Sequence, residues 1–286
     1  RFTVNERISK TLLDFVENEA DYVHRGLPVS GGSARAFYKG VDPEWYPIEH
    51  NLDVRRDLVD EVLFDMILAA EGDRPTKTEL YVIKAEAGAG KSVFLRRLAW
   101  DAAVDGNVLC IFMRRYGQIR YEPFYELHRL TRERIFAFVD NAADNVPELE
   151  QVIMKARSDK LPLTIITAER INEWNMGCER LDSYVTDTYQ LPYLSQKEIR
   201  ALVDLLEQHD SLGYLRNLPN EKRIEAFEQR AGRQLLVALH EATLGKPFEE
   251  ILVDEYNEIR PQPARSLYLS VCVLNRLNVL VRAGLI

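Results

Sequence analysis

The sequence predicts an α/β fold in which a central parallel sheet is followed by an all-helical region. Apolar runs with little polar alternation recur through the middle of the chain, which is typical of strands covered on both faces of a parallel sheet. Helical patterns separate these runs, and strand signals disappear from Ser195 onward. The length of 286 residues allows about two domains, or three if one is small.

Composition and charge exclude several classes of protein. Hydrophobic residues make up 46% and charged residues 29% of the chain, which is ordinary for a globular protein and argues against disorder. The chain has 37 Lys and Arg against 45 Asp and Glu, a net charge of −8. Nucleic-acid binding through a surface that is basic overall is therefore not indicated.

The cysteines and the apolar runs predict a soluble, cytoplasmic protein with no membrane partner. Cys110, Cys178 and Cys272 are far apart and form no C-x-x-C pair, so neither a disulfide framework nor a zinc site is expected. No apolar run approaches the ~20 residues that span a bilayer, and no signal peptide is evident. Because the chain opens on Arg1 and stops inside an apolar stretch, we expect it to be a piece of a longer protein.

The first part of the chain is expected to hold helices and linkers. Apolar residues recur at helical spacing over residues 8–16, and a loop rich in glycine follows at 26–34. We therefore assign residues 1–40 to an N-terminal helix and linker. A second helix is predicted from about 54 to 70, with a polar linker at 71–78.

The strands of the central sheet come next, and helical patterns alternate with them. The helix after the first strand is predicted at 93–104. Four strands are predicted at residues 80–83, 108–112, 135–139 and 163–166, and a fifth near 184–191.

The remaining chain reads as helical throughout. Pro261 and Pro263 separate a last apolar helix from the others. The helices before these prolines are predicted at about 196–208, 221–231, 234–244 and 248–258.

The strongest chemical signal is a glycine-rich segment between the first strand and its helix. Residues 85–92 are close to the P-loop (Walker A) pattern G-x-x-x-x-G-K-[ST], with Ala85 in place of the first glycine. Glycines let backbone N–H groups turn inward, and the helix N-terminus adds partial positive charge, so the segment can cradle phosphates. The candidate nucleotide-binding residues are Ala87, Gly88, Ala89, Gly90, Lys91, Ser92 and Val93.

This motif makes ATP or ADP with Mg²⁺ the expected cofactor. Lys91 would reach the β- and γ-phosphates, and the Ser92 hydroxyl would ligate Mg²⁺. The alternative is a glycine-rich turn that only happens to contain Gly-Lys-Ser. Its position between a strand and a helix favours the phosphate-binding interpretation.

A carboxylate at a strand end completes the predicted magnesium site. The run at 135–139 is followed by Asp140, the Walker B candidate that would hold Mg²⁺ together with Ser92. The next residue, Asn141, cannot act as a base, and Asp144 is the nearest substitute, although it could equally cap a helix. We therefore expect slow hydrolysis, unless Asp144 or a partner chain completes the catalytic group.

The strand beside Asp140 ends in residues that could sense the γ-phosphate. Thr167 and Arg170 are the candidates, because a polar residue followed by an arginine at this strand end can contact the terminal phosphate. The alternative is a surface salt bridge that involves Glu169.

With these motifs the chain resembles the STAND branch of P-loop ATPases, which are related to AAA+ proteins and include the NACHT and NB-ARC modules. The resemblance rests on the glycine-rich segment, on the strand that ends in Val139 and Asp140, and on residues 165–170. It covers about residues 45–286. It implies a P-loop nucleotide-binding domain with a central five-stranded parallel sheet at 41–193, an all-α lid at 194–260 and the start of a winged-helix-like domain at 261–286.

The resemblance also implies a function. STAND proteins exchange ADP for ATP, open from a closed monomer into an oligomer and thereby activate an attached effector domain, and bacterial members commonly serve in anti-phage defence. Effector and sensor domains would then lie in the same longer chain. Two alternatives remain open: an AAA+-like motor that remodels protein or nucleic acid, and a non-hydrolysing nucleotide-binding scaffold.

The family places further nucleotide contacts outside the P-loop. Ile48 lies in the segment expected to pack against adenine, with a core position as the alternative. Arg233 matches the sensor-2 arginine of AAA+ lids, with a surface arginine as the alternative. Pro247 matches the lid proline of STAND proteins, with an ordinary helix stop followed by proline as the alternative.

A basic cluster follows the second predicted strand and could meet a partner chain or a phosphate. Glutamates are interleaved with its arginines, which favours a solvated face. The arginines are Arg114, Arg115, Arg120, Arg129, Arg132 and Arg134, and the glutamates are Glu122, Glu126 and Glu133.

Overall fold

The structure is a computed structural model, and a six-stranded sheet forms its centre. It describes residues 7–41, 44–67, 69, 71–72, 74–230, 235, 239–240 and 248–276. The strands are β1 (Ala20–Val23), β2 (Thr78–Ala85), β3 (Leu109–Met113), β4 (Ile135–Asp140), β5 (Leu163–Arg170) and β6 (Asp187–Leu191).

The sheet confirms the α/β prediction with one correction. Its strand order is β1-β3-β4-β5-β2-β6, and every neighbouring pair is parallel except β1 and β3. The strands β2 to β6 are the five predicted ones. The prediction of five strands missed β1, an antiparallel edge strand of four residues that is too short to produce a clear pattern.

The N-terminal part supplies short helices, most of which pack into the cores on the two faces of the sheet. The helix predicted at 8–16 is present, as is part of the one predicted at 54–70. These elements are α1 (Lys10–Asp14), a π-helical turn (Phe15–Glu19), α2 (Ala34–Tyr38), α3 (Tyr46–Glu49), α4 (Leu58–Val62) and a second π-helical turn (Leu63–Ile67).

Helices cover both faces of the sheet. Along β2, Leu80 and Val82 belong to one core, whereas Tyr81 and Ile83 belong to the other, because successive side chains point to opposite faces. The apolar character of the whole run follows from this double burial. The covering helices are α5 (Lys91–Val104), α6 (Tyr121–Thr131), α7 (Val146–Ser158) and α8 (Ile171–Gly177), with 3₁₀ turns at Ala142–Asn145 and Glu179–Tyr184.

The region after β6 is helical in its described part. A third core joins this region to the N-terminal segment, since Tyr38 and Leu52 pack with Ile199 and Leu202. The helices are α9 (Gln196–Gln208), α10 (Asn220–Glu225), α11 (Phe248–Glu258) and α12 (Gln262–Arg276), with a 3₁₀ turn at Gly213–Asn217 and a π-helical turn at Ala226–Arg230. Within the described residues, no helix has the length and apolar character needed to cross a bilayer.

Candidate functional site

The glycine-rich loop lies between β2 and α5, at the carboxyl end of the parallel strands. Gly88 and Gly90 have φ values of 74° and 83°, a left-handed conformation that side chains rarely adopt. Gly90 is also the N-cap of α5, so the first turn of that helix opens onto the loop. Ala85, which replaces the first glycine of the P-loop pattern, is the last residue of β2 and pairs with Arg170 and Leu191. Because its backbone is extended, this position does not need the conformational freedom of glycine.

Lys91 joins the loop to the end of β4. Its Nζ lies 3.1 Å from Oδ1 of Asp140 and also donates to Oδ1 of Asn141. The lysine and aspartate side chains are 12% and 19% exposed. Since β5 lies between β2 and β4, only the folded sheet brings these groups together.

The residues after β4 form a tight turn beside this pair. Asn141 has a φ of 55°, and its N–H donates to the carbonyl of Ala168 at 3.0 Å. The N–H of Asp144 donates back to the carbonyl of Asn141 at 3.2 Å. The turn therefore keeps Asp144 close to the end of β4.

A polar pocket of about 260 Å³ lies beside Lys91. It is lined by side chains from α5, from the end of β3, from the turn after β4 and from the end of β5. The sequence-predicted site residues that line it are Lys91, Ser92, Asp140, Asp144 and Arg170. The same lining contains Arg96, Arg114 and Arg115. The sequence predicted a basic cluster that includes the last two, and it did not indicate Arg96.

At the end of β5, Thr167 and Arg170 were predicted to contact the γ-phosphate, and both make contacts within the protein. The hydroxyl of Thr167 is fully buried and donates to the carbonyl of Val139 at 2.7 Å, so it ties β5 to β4. Arg170 pairs with Glu173 at 2.8 Å.

Glu169 is fully buried rather than part of a surface salt bridge. Its Oε2 accepts from the N–H of Ala143 and its Oε1 from the N–H of Arg170, both at 2.8 Å. Burial raises the pKa of Glu169, against the effect of these N–H groups, and a hydrogen bond with Glu173 raises it further. The predicted alternative of a surface salt bridge is therefore wrong for Glu169, since Arg170 forms such a bridge with Glu173 instead, and no pattern in the sequence marks the burial of Glu169.

A second, apolar pocket of about 300 Å³ also borders the glycine-rich loop. Its mainly apolar walls and its size suit a flat organic group such as a nucleobase. Besides the loop and the start of α5, the lining comes from three parts of the chain: Phe37, Tyr38 and Val41; Leu52, Val54 and Val59; and Leu194, Leu202, Leu235 and Leu239.

Of the three further predicted contacts, the structure describes only Ile48. Ile48 is 1% exposed and packs in the core, and its carbonyl accepts from Arg97 at 2.9 Å. Leu52 and Val54 of the same segment line the apolar pocket instead. Arg233 and Pro247 lie outside the described residues.

Arg56 is a site residue that the sequence patterns did not predict. Its side chain, 6% exposed, donates to the carbonyl of Ala89 in the loop at 3.3 Å and to that of Pro192 at 2.6 Å. Its Nε also donates to Glu198 in α9 at 3.0 Å. One guanidinium thus connects the glycine-rich loop to the first helix of the region after β6, and no motif in the sequence indicates it.

Comparison with known proteins finds one matching family and several similar solved structures. A family model described as Novel STAND NTPase 5 matches residues 35–182, more than half of the chain. No match was found among curated protein sequences.

Among solved structures, a chain of the E. coli MS115-1 HORMA:CdnC:Trip13 complex is similar, with 13% identity and a TM-score of 0.41 over 67% of this chain and 75% of that one. C. elegans PCH-2 has 9% identity and a TM-score of 0.42 over 70% of this chain and 72% of that one. The Thermotoga maritima RuvB Holliday junction branch migration motor has 16% identity and a TM-score of 0.44 over 66% of this chain and 61% of that one.

Proposed function

Since this chain belongs to the STAND NTPases, through the family described as Novel STAND NTPase 5, we propose that it is an ATP- and ADP-binding molecular switch. In this proposal, bound ADP holds the helical region against the glycine-rich loop, whereas ATP together with a trigger releases it. The released form self-associates and activates an effector domain in the same longer chain. The chemistry is slow ATP hydrolysis, and the output is a change of conformation.

The observation that carries this proposal is the position of Arg56. Its guanidinium bonds to the loop carbonyl of Ala89, to Pro192 before α9 and to Glu198 within α9. Glu198 in turn accepts from the N–H of Ser195 and of Asp57. A shift of the loop backbone would therefore displace the start of α9 as well, because a buried charged network has few alternative arrangements.

The apolar contacts support the same link. A Cβ on Gly90 would lie 2.9 Å from Cδ2 of Leu235, so a residue of the helical region already touches the phosphate-binding loop. Leu202 of α9 and Leu235 also line the apolar pocket. A base bound there would be in contact with both parts of the molecule.

The residues present fit a nucleotide with Mg²⁺. The left-handed glycines turn the loop backbone, the N-terminus of α5 faces it, and Lys91 supplies a cation. Ser92 and Asp140 are the oxygen ligands in the polar pocket that would hold Mg²⁺. Bound Mg²⁺ and ATP supply the electrophilic γ-phosphoryl group. Lys91 would then exchange Asp140 for phosphate oxygens, which frees the carboxylate for the metal's water shell.

Slow hydrolysis follows from the residue beside Asp140. Asn141 carries an amide, which cannot accept a proton from water, and its side-chain oxygen is bonded to Lys91. Asp144 lines the same pocket and is the candidate to orient water. A site of this kind would hydrolyse ATP slowly, which suits a switch better than a motor.

Calorimetric titration with ADP and with a slowly hydrolysed ATP analogue tests the proposal. The wild-type protein should bind both in the presence of Mg²⁺, and Lys91→Ala should abolish or greatly weaken binding of both. Lys222→Ala, which removes an exposed lysine paired with Glu225 on α10, is the matched control and should bind normally. Equal binding by the wild type and Lys91→Ala would contradict the proposed site.

The proposal extends to a biological role in defence. We infer a cytoplasmic protein that takes part in anti-phage defence, and what supports this is the resemblance to bacterial STAND proteins. The longer protein should protect bacteria from phage, and the same protein with Lys91→Ala should not. Protection by both forms would contradict a nucleotide-controlled role.

A further inference from the structure

Five basic side chains line the polar pocket. Carboxylates pair with three of them: Asp140 with Lys91, Asp21 with Arg114 and Glu173 with Arg170. Basic groups gathered in a concave site favour an anionic ligand. The basic residues are Lys91, Arg96, Arg114, Arg115 and Arg170.

Two of these arginines belong to a turn that is fixed by the edge strand β1. The turn closes through a bond from the N–H of Gly117 to the carbonyl of Arg114 at 2.9 Å. The N–H of Arg114 donates to the carbonyl of Glu19, directly before β1, at 3.0 Å. A Cβ on Gly117 would overlap that same carbonyl oxygen, so only glycine allows this close approach.

The side chain of Arg114 strengthens the attachment. Its guanidinium donates to Asp21 of β1 at 2.8 Å and to the carbonyl of Glu17 at 2.6 Å. Arg114 therefore acts as an anchor, and β1 with the π-helical turn before it holds the loop after β3 in place.

Arg115 is the member of the turn that remains available to a ligand. It is exposed, and its guanidinium lies over the ring of Tyr116 at 5.6 Å from the centroid. Among the described residues no carboxylate pairs with Arg115, whereas Lys91 pairs with Asp140, and Arg170 with Glu173. A guanidinium in this position can form two charge-assisted hydrogen bonds to a phosphate.

We infer that Arg115 contacts the γ-phosphate of a nucleotide bound in the same chain, from a turn that β1 holds in position. This rests on the proposed function, since it concerns the same site. Lys91 and the glycine-rich loop hold the phosphates that ADP and ATP share, and Arg115 adds a contact that only ATP can make. The N-terminal edge of the sheet thereby takes part in distinguishing the two nucleotides.

The test compares the affinity for ADP and for a slowly hydrolysed ATP analogue in Arg115→Ala. Affinity for the analogue should fall on the order of 10-fold to 100-fold, the range of a charge-assisted hydrogen bond, while ADP affinity changes little. Arg200→Ala, which removes an exposed arginine of α9 outside both pockets, should leave both affinities unchanged.

A second variant tests the role of the anchor. Gly117→Val should displace the turn and selectively lower the affinity for the ATP analogue, as Arg115→Ala does, although Arg115 is still present. Gly31→Val is the matched control, because a Cβ on Gly31 has no atom within 4 Å. Circular dichroism and the melting temperature establish that each variant is folded.

The possible outcomes separate this inference from the proposed function. If Arg115→Ala lowers the affinity for both nucleotides equally, or for neither, then Arg115 does not sense the γ-phosphate and the inference is overturned. The proposed function stands in that case, because the wild type still binds. If the wild type binds neither nucleotide, both are overturned.

Discussion

Glu169 shows how a single buried side chain organises the polar pocket. Its two carboxylate oxygens hold the turn after β4 through Ala143 and the end of β5 through Arg170. Asp140 and Arg170 belong to these two segments, so their relative position depends on a residue that lines neither pocket. Fixing ligands through a buried hydrogen-bonded group is a common way to make a site rigid.

Replacement of Glu169 by glutamine should destabilise the protein by about 1–3 kcal/mol. Both oxygens accept from backbone N–H groups, and an amide would place its own NH₂ against one of these donors. Urea denaturation measures the loss. Glu179→Gln, at an exposed position in the 3₁₀ turn after α8, is the control and should change the free energy of unfolding little.

The same residue gives stability a defined pH dependence. Burial raises the pKa of Glu169 above its ordinary value of 4.5, the hydrogen bond with Glu173 adds to this rise, and the backbone N–H groups of Ala143 and Arg170 and the charge of Lys91 oppose it. Between the two pKa values the folded protein holds a proton that the unfolded chain lacks, so the free energy of unfolding falls as the pH rises.

The stability advantage of the wild type over Glu169→Gln should therefore be largest below pH 4.5 and should shrink as the pH rises through the folded pKa. Urea denaturation of both proteins at several pH values measures it. An advantage that grows with pH would mean that the folded pKa is lowered instead.

At the scale of elements, the predicted bounds of α9, 196–208, agree with the structure. Ser195 and Glu198 mark its start, because they form a capping box in which each side chain bonds to the backbone N–H of the other. The strands β2 to β5 were found from apolar runs, since burial on both faces leaves no polar alternation. Strand β1 was missed because it is short and contains Asp21, and it pairs only at the edge of the sheet.

Ser195→Ala should cost about 1 kcal/mol of stability, because the N–H groups at the start of α9 lose a cap. The change also removes the contact between Ser195 Oγ and Asp57 at 3.4 Å, which lies in the same network as Arg56. Urea denaturation measures the effect. Ser158→Ala, at the exposed end of α7, is the control, and an equal loss in both variants would contradict the capping role.

At the scale of the whole molecule, the site is built where distant parts of the chain meet. The sequence identified the glycine-rich loop, Asp140 and Arg170 from local patterns, because each lies next to the end of a strand. It could not identify Arg56 or the lining residue Leu52, since these act only through tertiary contacts with α9 and Leu202. The difference between Ile48 and Leu52 has the same origin: both are apolar, and only the fold decides which one faces the pocket.

The central claim is that the glycine-rich loop and the helical region respond together to nucleotide. Hydrogen exchange of backbone amides, measured with and without saturating ADP, tests this most directly. Arg56→Lys retains a positive charge beside Glu198 but cannot donate to all three acceptors in the same fixed geometry, so it should uncouple the two regions.

In the wild type, ADP should slow exchange both in residues 86–92 and in α9. In Arg56→Lys, ADP should still slow exchange in the loop, with a much smaller effect in α9. If ADP protects the loop of the wild type and leaves α9 unchanged, the loop binds nucleotide without controlling the helical region, and the proposed switch is wrong.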